Sequence, residues 1–115
     1  MKLFLKSFVY AAAGIRHCMM KERNFVVHCC CALLAVIAGL FFSISPVEWM
    51  VVTINTALVL AFEMLNTAIE KICNHVHPQR HPLIKIIKDV AAGAVLVVAL
   101  GAAICGAIIF LPKIF

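Results

Sequence analysis

Three long apolar stretches, separated by short polar ones, set the frame of this chain. Phe25 to Phe42 is almost wholly apolar, Trp49 to Ala61 largely so, and Val90 to Leu111 entirely so. At ~1.5 Å per helical residue, a run the length of Phe25 to Phe42 covers roughly 27 Å of a ~30 Å hydrocarbon layer. Membrane-spanning helices are therefore predicted at about residues 25–42, 47–73 and 82–111. The second and third extend past their apolar parts into polar turns. Ahead of them, Leu3 to Met20 follows a different rule. Phe4, Phe8, Ile15 and Met19 recur at helical spacing while Lys2, Lys6 and His17 lie largely off that stripe. This predicts an amphipathic surface helix over about residues 3–20, with Gly14 expected to interrupt it.

The breaks are equally readable. Lys21-Glu22-Arg23-Asn24 is a charged knot before the first span, where Glu22 reads as a surface partner of Lys21 and Arg23. Ser43 to Trp49 is a turn with Pro46 and an interfacial tryptophan. Asn74 to His81 reads as a loop, with Pro78 and Pro82 as breakers and Pro82 suited to the first turn of the last helix. Within the spans, Asn55 suits an interhelical hydrogen bond, and Ala91-Ala92-Gly93-Ala94 permits close helix approach.

One stretch departs from the apolar rule. At ~100° per residue, Glu63, Asn66 and Glu70 fall within roughly 60° of one another, so two carboxylates and an amide share a helix face. A charge at mid-span costs at least ~2.5 to 3.5 kcal/mol, and charges retained inside a span usually mark function. Trp49 to Phe62 precede Glu63 and account for roughly 21 Å of the span, which puts Glu63 towards one membrane surface and Glu70 about 10 Å nearer the water. Such a face suits a site that handles an amphiphile and a water-soluble partner together. In the last helix Lys85, Lys88 and Asp89 stand at i, i+3 and i+4, on one face directed at the end of the second span.

Composition narrows the class. Of 115 residues, 65% are hydrophobic and 13% charged, the profile of one small membrane domain spanning residues 1–115. The net charge of +5 adjoins apolar spans and forms no basic stripe with interleaved aromatics, so no nucleic-acid partner is expected. Six cysteines, including the run Cys29-Cys30-Cys31, form no CxxC pair and predict no disulfide framework. Lys6 and Arg16 break the apolar opening, so it reads as part of the mature protein rather than a cleaved leader. Lys2, Lys6, Arg16, Lys21 and Arg23 precede the first span, and Lys71, Arg80, Lys85 and Lys88 lie between the second and third. The Ser43 to Trp49 turn has no lysine or arginine. The positive-inside rule makes the amino terminus and second loop cytoplasmic, collecting Glu22, Glu63, Asn66, Glu70, Lys88 and Asp89 on that side.

Carboxylates, an amide and ammonium groups at an interface match what phosphoryl transfer asks of a protein. Hard cations such as Mg²⁺ take carboxylate and phosphate oxygens, lysine neutralises phosphate, and a base is needed for the attacking hydroxyl. There is no Walker A or kinase glycine-rich loop, so a nucleotide site must be built differently. Cys73, His75, His77 and His81 cluster but match no zinc spacing. The competing reading is a small transporter or scaffold subunit whose acids pair with lysines. Transporters usually place such acids near mid-bilayer, whereas these crowd one surface.

With Glu63-x-x-Asn66-x-x-x-Glu70, the preceding Glu22, and Lys88-Asp89-x-Ala91-Ala92-Gly93-Ala94-Val95, the chain resembles the prokaryotic diacylglycerol kinase family over essentially its whole length. The resemblance implies a homotrimeric all-α bundle in the bacterial inner membrane, each subunit having a surface helix and three spans, with active sites shared between neighbours. It implies transfer of the ATP γ-phosphate to a membrane lipid alcohol with Mg²⁺. By matching position, Glu63 looks like the general base, and Glu22 and Glu70 like ligands of the metal that accompanies ATP. Lys88 and Asp89 look like nucleotide contacts, with Tyr10, Gln79 and His81 near the nucleotide. Asn66 belongs to the motif and reads as positioning substrate or a carboxylate, and Arg16, with Tyr10 on the surface helix, offers a polar side chain to position a substrate phosphate or headgroup. Asn74 stands where many members carry Asp, and Leu3 where some carry a basic residue. Glu22-Arg23-Asn24-Phe25-x-x-His28 and His81-Pro82-Leu83-x-Lys85-x-x-Lys88-Asp89 look more like the undecaprenol kinase branch than the diacylglycerol branch.

Overall fold

The three breaks between the predicted helices become helix boundaries in the computed structural model, which describes residues 1–115 as α1 (Lys2–Lys21), α2 (Arg23–Phe42), α3 (Pro46–Val76) and α4 (Pro82–Ile114). There are no strands. The last three helices are each long and apolar enough to cross a membrane.

A single extended residue, Glu22, separates α1 from α2. Its backbone N–H still donates to the Cys18 carbonyl, closing α1 while the chain changes direction. Contrary to expectation, Gly14 does not interrupt α1. Glycine inside a helix costs only about 1 kcal/mol relative to alanine, which the preceding Ala11-Ala12-Ala13 and the following Arg16 tolerate.

The α2–α3 connection is tight. Ser43 takes the left-handed conformation (φ 50°) that ends α2. Two residues later a capping box starts α3: the Ser45 hydroxyl accepts from the Glu48 N–H, the Glu48 carboxylate accepts from the Ser45 N–H, and Pro46 opens the helix. Gly39 lets the chains approach here, because a Cβ on it would stand 2.6 Å from the Trp49 ring. Around this turn Ile44, Val52 and Ile109 form the buried core, flanked by Phe42, Trp49 and Phe110. Lys113 near the end of α4 bonds Glu48 at 2.8 Å and locks the two helices at this end.

From there α3 and α4 run antiparallel as the principal pair, and α2 packs on α3. At ~1.5 Å per residue they are roughly 46 and 50 Å long, well beyond a ~30 Å hydrocarbon layer. With one end fixed at the Ser43 turn, the surplus emerges at the α3–α4 loop. That loop is shorter than expected, because α3 continues to Val76 and takes Asn74 and His75 into the helix. Pro78 disfavours helical geometry at the residue before it, and α3 stops just short of that point. Asn55 is also corrected: its amide donates 2.9 Å to Val51 O of its own helix and does not bridge helices.

The molecule measures 50 × 42 × 21 Å, a slab about two helices thick. Only 12 of 115 residues are buried, and large side chains such as Leu33, Phe41, Leu96, Val97 and Ile108 face outward. Helices apolar all round, left open in this way, are built for lipid or for other membrane helices.

Candidate active site

Glu63 is the buried charge of the fold, with 5% of its surface exposed on the face of α3 that meets α2. Its Oε1 lies 3.1 Å from Nε2 of His28, one of the few polar side chains of α2. The register explains the meeting. His28 stands about 21 Å along α2 from Phe42, and Glu63 about 26 Å along α3 from Pro46, so antiparallel packing brings them level. One turn beyond Glu63, Thr67 is also buried, and Cys18 of α1 packs beside it. Burial, and then the negative charges of Glu22 and Glu63, push the Cys18 thiol above its ordinary value and keep it neutral. All six cysteines are free, with no disulfide between them.

Further along the same face, the Asn66 amide donates to Glu70 Oε1 at 3.3 Å, and its own carbonyl oxygen is buried without a partner. Glu22, at the α1–α2 break, pairs with Lys71 of α3 at 3.8 Å rather than with its neighbours Lys21 and Arg23. Lys71 directly follows Glu70, so this contact draws the Glu22 carboxylate towards the end of α3 that carries Glu70 and Asn66. Half-buried carboxylate oxygens beside an unsatisfied amide oxygen are a donor set suited to a hard cation, which needs only one or two protein carboxylates when phosphates supply the rest.

The second group surrounds the α3–α4 loop. His81 caps α4 by accepting the Leu83 N–H on Nδ1 at 3.1 Å. Lys88 reaches back to Asn74 Oδ1. Lys85 and Asp89 pair at 2.6 Å, an exposed i,i+4 contact worth little to stability. Gln79, Arg80, His81, Lys85, Lys88 and Asp89 line an open cavity of about 640 Å³. Three of these are cationic against one anion, a balance suited to phosphate. Cys73, His75, His77 and His81 do not gather into a set of three ligating side chains.

The single chain thus assembles two groups that no hydrogen bond or ion pair connects. Tyr10 and Arg16 belong to neither, being exposed on α1, with Arg16 in a shallow depression beside His17 and Lys21. A third feature was not foreseen. A groove of about 360 Å³ runs between α2, α3 and α4 from His28 past Ala32, Val59, Ala99 and Ala103 to Ile109, with mostly apolar walls. His28, Lys71, Thr67 and Cys18 were likewise not foreseen as neighbours of the acidic face. Each is brought there by contacts between helices, for which the sequence carries no local pattern.

The sequence pattern of prokaryotic diacylglycerol kinase matches residues 9–110. An undecaprenol kinase of Bacillus subtilis is 42% identical over 111 residues, covering 96% of this chain and 90% of that protein. A diacylglycerol kinase of Synechocystis is 36% identical over 96% of this chain, which spans 63% of that protein's length. A diacylglycerol kinase of Escherichia coli is 27% identical over 87% of this chain and 82% of its own. The three apolar helices and these relatives mark a bacterial membrane protein.

Proposed function

The chain belongs to the prokaryotic diacylglycerol kinase family and is a membrane lipid kinase, and on that premise we propose that it moves the γ-phosphate of ATP onto undecaprenol, giving undecaprenyl phosphate. Undecaprenol is favoured over diacylglycerol because the undecaprenol kinase relative shares 42% identity across nearly the whole chain, against 27% for the Escherichia coli diacylglycerol kinase.

The observation that carries the reading is the placement of Glu63. It is a carboxylate 5% exposed, at the same end of the α2–α3 pair as Glu22 and Glu70. His28 at its side opens onto an apolar groove able to take part of a lipid tail. In this reading Glu63 accepts the proton of the lipid hydroxyl through the oxygen that His28 leaves free. The hydroxyl oxygen forms its bond to the γ-phosphorus, the bond to the β–γ bridging oxygen breaks, and ADP departs. Glu22 and Glu70 would hold Mg²⁺, whose charge, when bound, neutralises phosphate oxygens. Asn66 orients Glu70, Lys88 faces the phosphates, and Tyr10, Gln79, His81 and Asp89 surround the nucleotide. Arg16 steers the substrate headgroup.

The assembly is a homotrimer of single-domain subunits in the inner membrane, with a cytoplasmic amino terminus. The support is the lysine and arginine asymmetry, the open apolar surface, and the separation of the carboxylate group from the basic cavity within one chain. The test is phosphate transfer from γ-labelled ATP with Mg²⁺ by purified protein in mixed micelles offering undecaprenol and diacylglycerol together. Labelled undecaprenyl phosphate is the expected product. Predominant phosphatidic acid would reassign the substrate, and no labelled lipid would overturn the assignment of this chain as an active kinase.

A further inference from the structure

We propose that His28 is a positioning residue for Glu63, holding the carboxylate so that one oxygen is fixed and the other is presented to the lipid hydroxyl. This rests on the reading of Glu63 as the base.

The geometry is specific. Nε2 of His28 lies 3.1 Å from Oε1 of Glu63, a close polar contact between helices that engages this oxygen and leaves Oε2 available. Glutamate has three freely rotating bonds before its carboxyl group. A close interhelical polar contact restrains that freedom, as outer partners do for catalytic and metal-ligating groups generally. Donation across this contact requires only a proton on Nε2, which neutral imidazole supplies as well as the cation, so Glu63 can be held without placing a second charge in the membrane.

The contact is also one of two in the same register. Just before α2, Glu22 reaches Lys71; about 9 Å further along, His28 reaches Glu63, which lies about 12 Å back along α3. Both contacts obey one antiparallel register, so the start of α2 fixes two points of the carboxylate face at once. His28 has a second exposure as well. Its side chain is 25% open and lines the groove together with Cys31, Ala32, Val59 and Leu60. The ring therefore stands between the base and the apolar volume from which a lipid hydroxyl would approach.

A bond that merely tied α2 to α3 would affect folding and leave turnover alone. A positioning bond affects turnover and depends on where the donor sits. His28→Gln places an amide nitrogen at about the reach of Nε2. His28→Asn falls one carbon short, and His28→Leu fills the space without a donor. Purified variants in mixed micelles would be compared for kcat, for KM of Mg·ATP and of undecaprenol, and for thermal midpoint, with Glu63→Gln as reference. His28→Leu and His28→Asn should lose roughly 10- to 100-fold in kcat, the range typical of outer-shell partners, with KM for Mg·ATP within about twofold of the parent. His28→Gln should keep most of the parent kcat.

Parental kcat in the Leu and Asn variants would overturn the proposal. So would equal losses in all three, or a loss of kcat that only follows a fall in thermal midpoint. Failure of the underlying reading looks different: Glu63→Gln would retain turnover, or the parent would phosphorylate no lipid.

Discussion

Glu63 is 5% exposed and in close contact with His28, so its replacement by the isosteric amide should leave packing in place and remove only the capacity to accept a proton. Glu63→Gln is expected to lower kcat by about 10²- to 10⁴-fold, the usual contribution of a general base, while nucleotide binding measured by calorimetry stays near the parent value. A variant with near-parental turnover would remove Glu63 from that role. Glu70 makes a different prediction. Its Oε1 already accepts from Asn66, which leaves the rest of the carboxylate free for a cation. Glu70→Gln should raise the Mg²⁺ concentration for half-maximal activity by roughly tenfold or more. An unchanged Mg²⁺ titration would count against the ligand assignment. These residues were legible because Glu63, Asn66 and Glu70 obey the helical period on a single element. Their partners were not. His28 and Cys18 lie on other helices, and nothing local in the sequence marks a lone histidine near the start of a span as the neighbour of a carboxylate.

At the scale of helices, sequence reading succeeded where burial and punctuation agreed and failed where one residue was given too much authority. Apolar length fixed all three spans, and Pro82 stands at the first position of α4 as expected, while Pro46, read as part of the turn, opens α3. Gly14 and Asn74 were misread because glycine and asparagine weaken a helix by about a kilocalorie or less, which an otherwise favourable segment absorbs. The two glycines Gly14 and Gly39 make the point experimentally. A Cβ on Gly14 would meet nothing within 4 Å, whereas one on Gly39 would stand 2.6 Å from the Trp49 ring. Gly14→Ala should stabilise α1 by about 0.5 to 1 kcal/mol, since it only removes unfolded-chain freedom. Gly39→Ala should destabilise the α2–α3 turn by about 1 to 3 kcal/mol, since the indole must shift out of a packed core. Thermal midpoints in detergent should therefore move in opposite directions. A neutral Gly39→Ala would mean that Trp49 repacks freely.

The whole molecule is a slab 21 Å thick with only 12 residues buried, too little to explain a stable enzyme by one chain's interior. The sequence could foresee the apolar surface but not what covers it, since a residue facing lipid and one facing a neighbouring subunit are chosen for the same apolarity. The distinction bears on the proposed trimer, because no hydrogen bond or ion pair within the chain joins the carboxylate group around Glu63 to the basic cavity around Lys88. If neighbours complete each site, two defects placed on different chains should complement. Subunits carrying Glu63→Gln supply an intact Lys88, and subunits carrying Lys88→Ala supply an intact Glu63. Each variant alone should be inactive. Unfolding and reassembling them together should generate some sites built from the intact halves of both. With random mixing of equal amounts into trimers, about a quarter of the sites should pair a good Glu63 with a good Lys88, if each site draws one half from each of two chains. Recovered activity near that fraction supports shared sites. No recovery, with parental subunits regaining activity under the same reassembly, would place both halves on one chain and require α3 and α4 to bring them together by a movement of the loop between Val76 and Pro82.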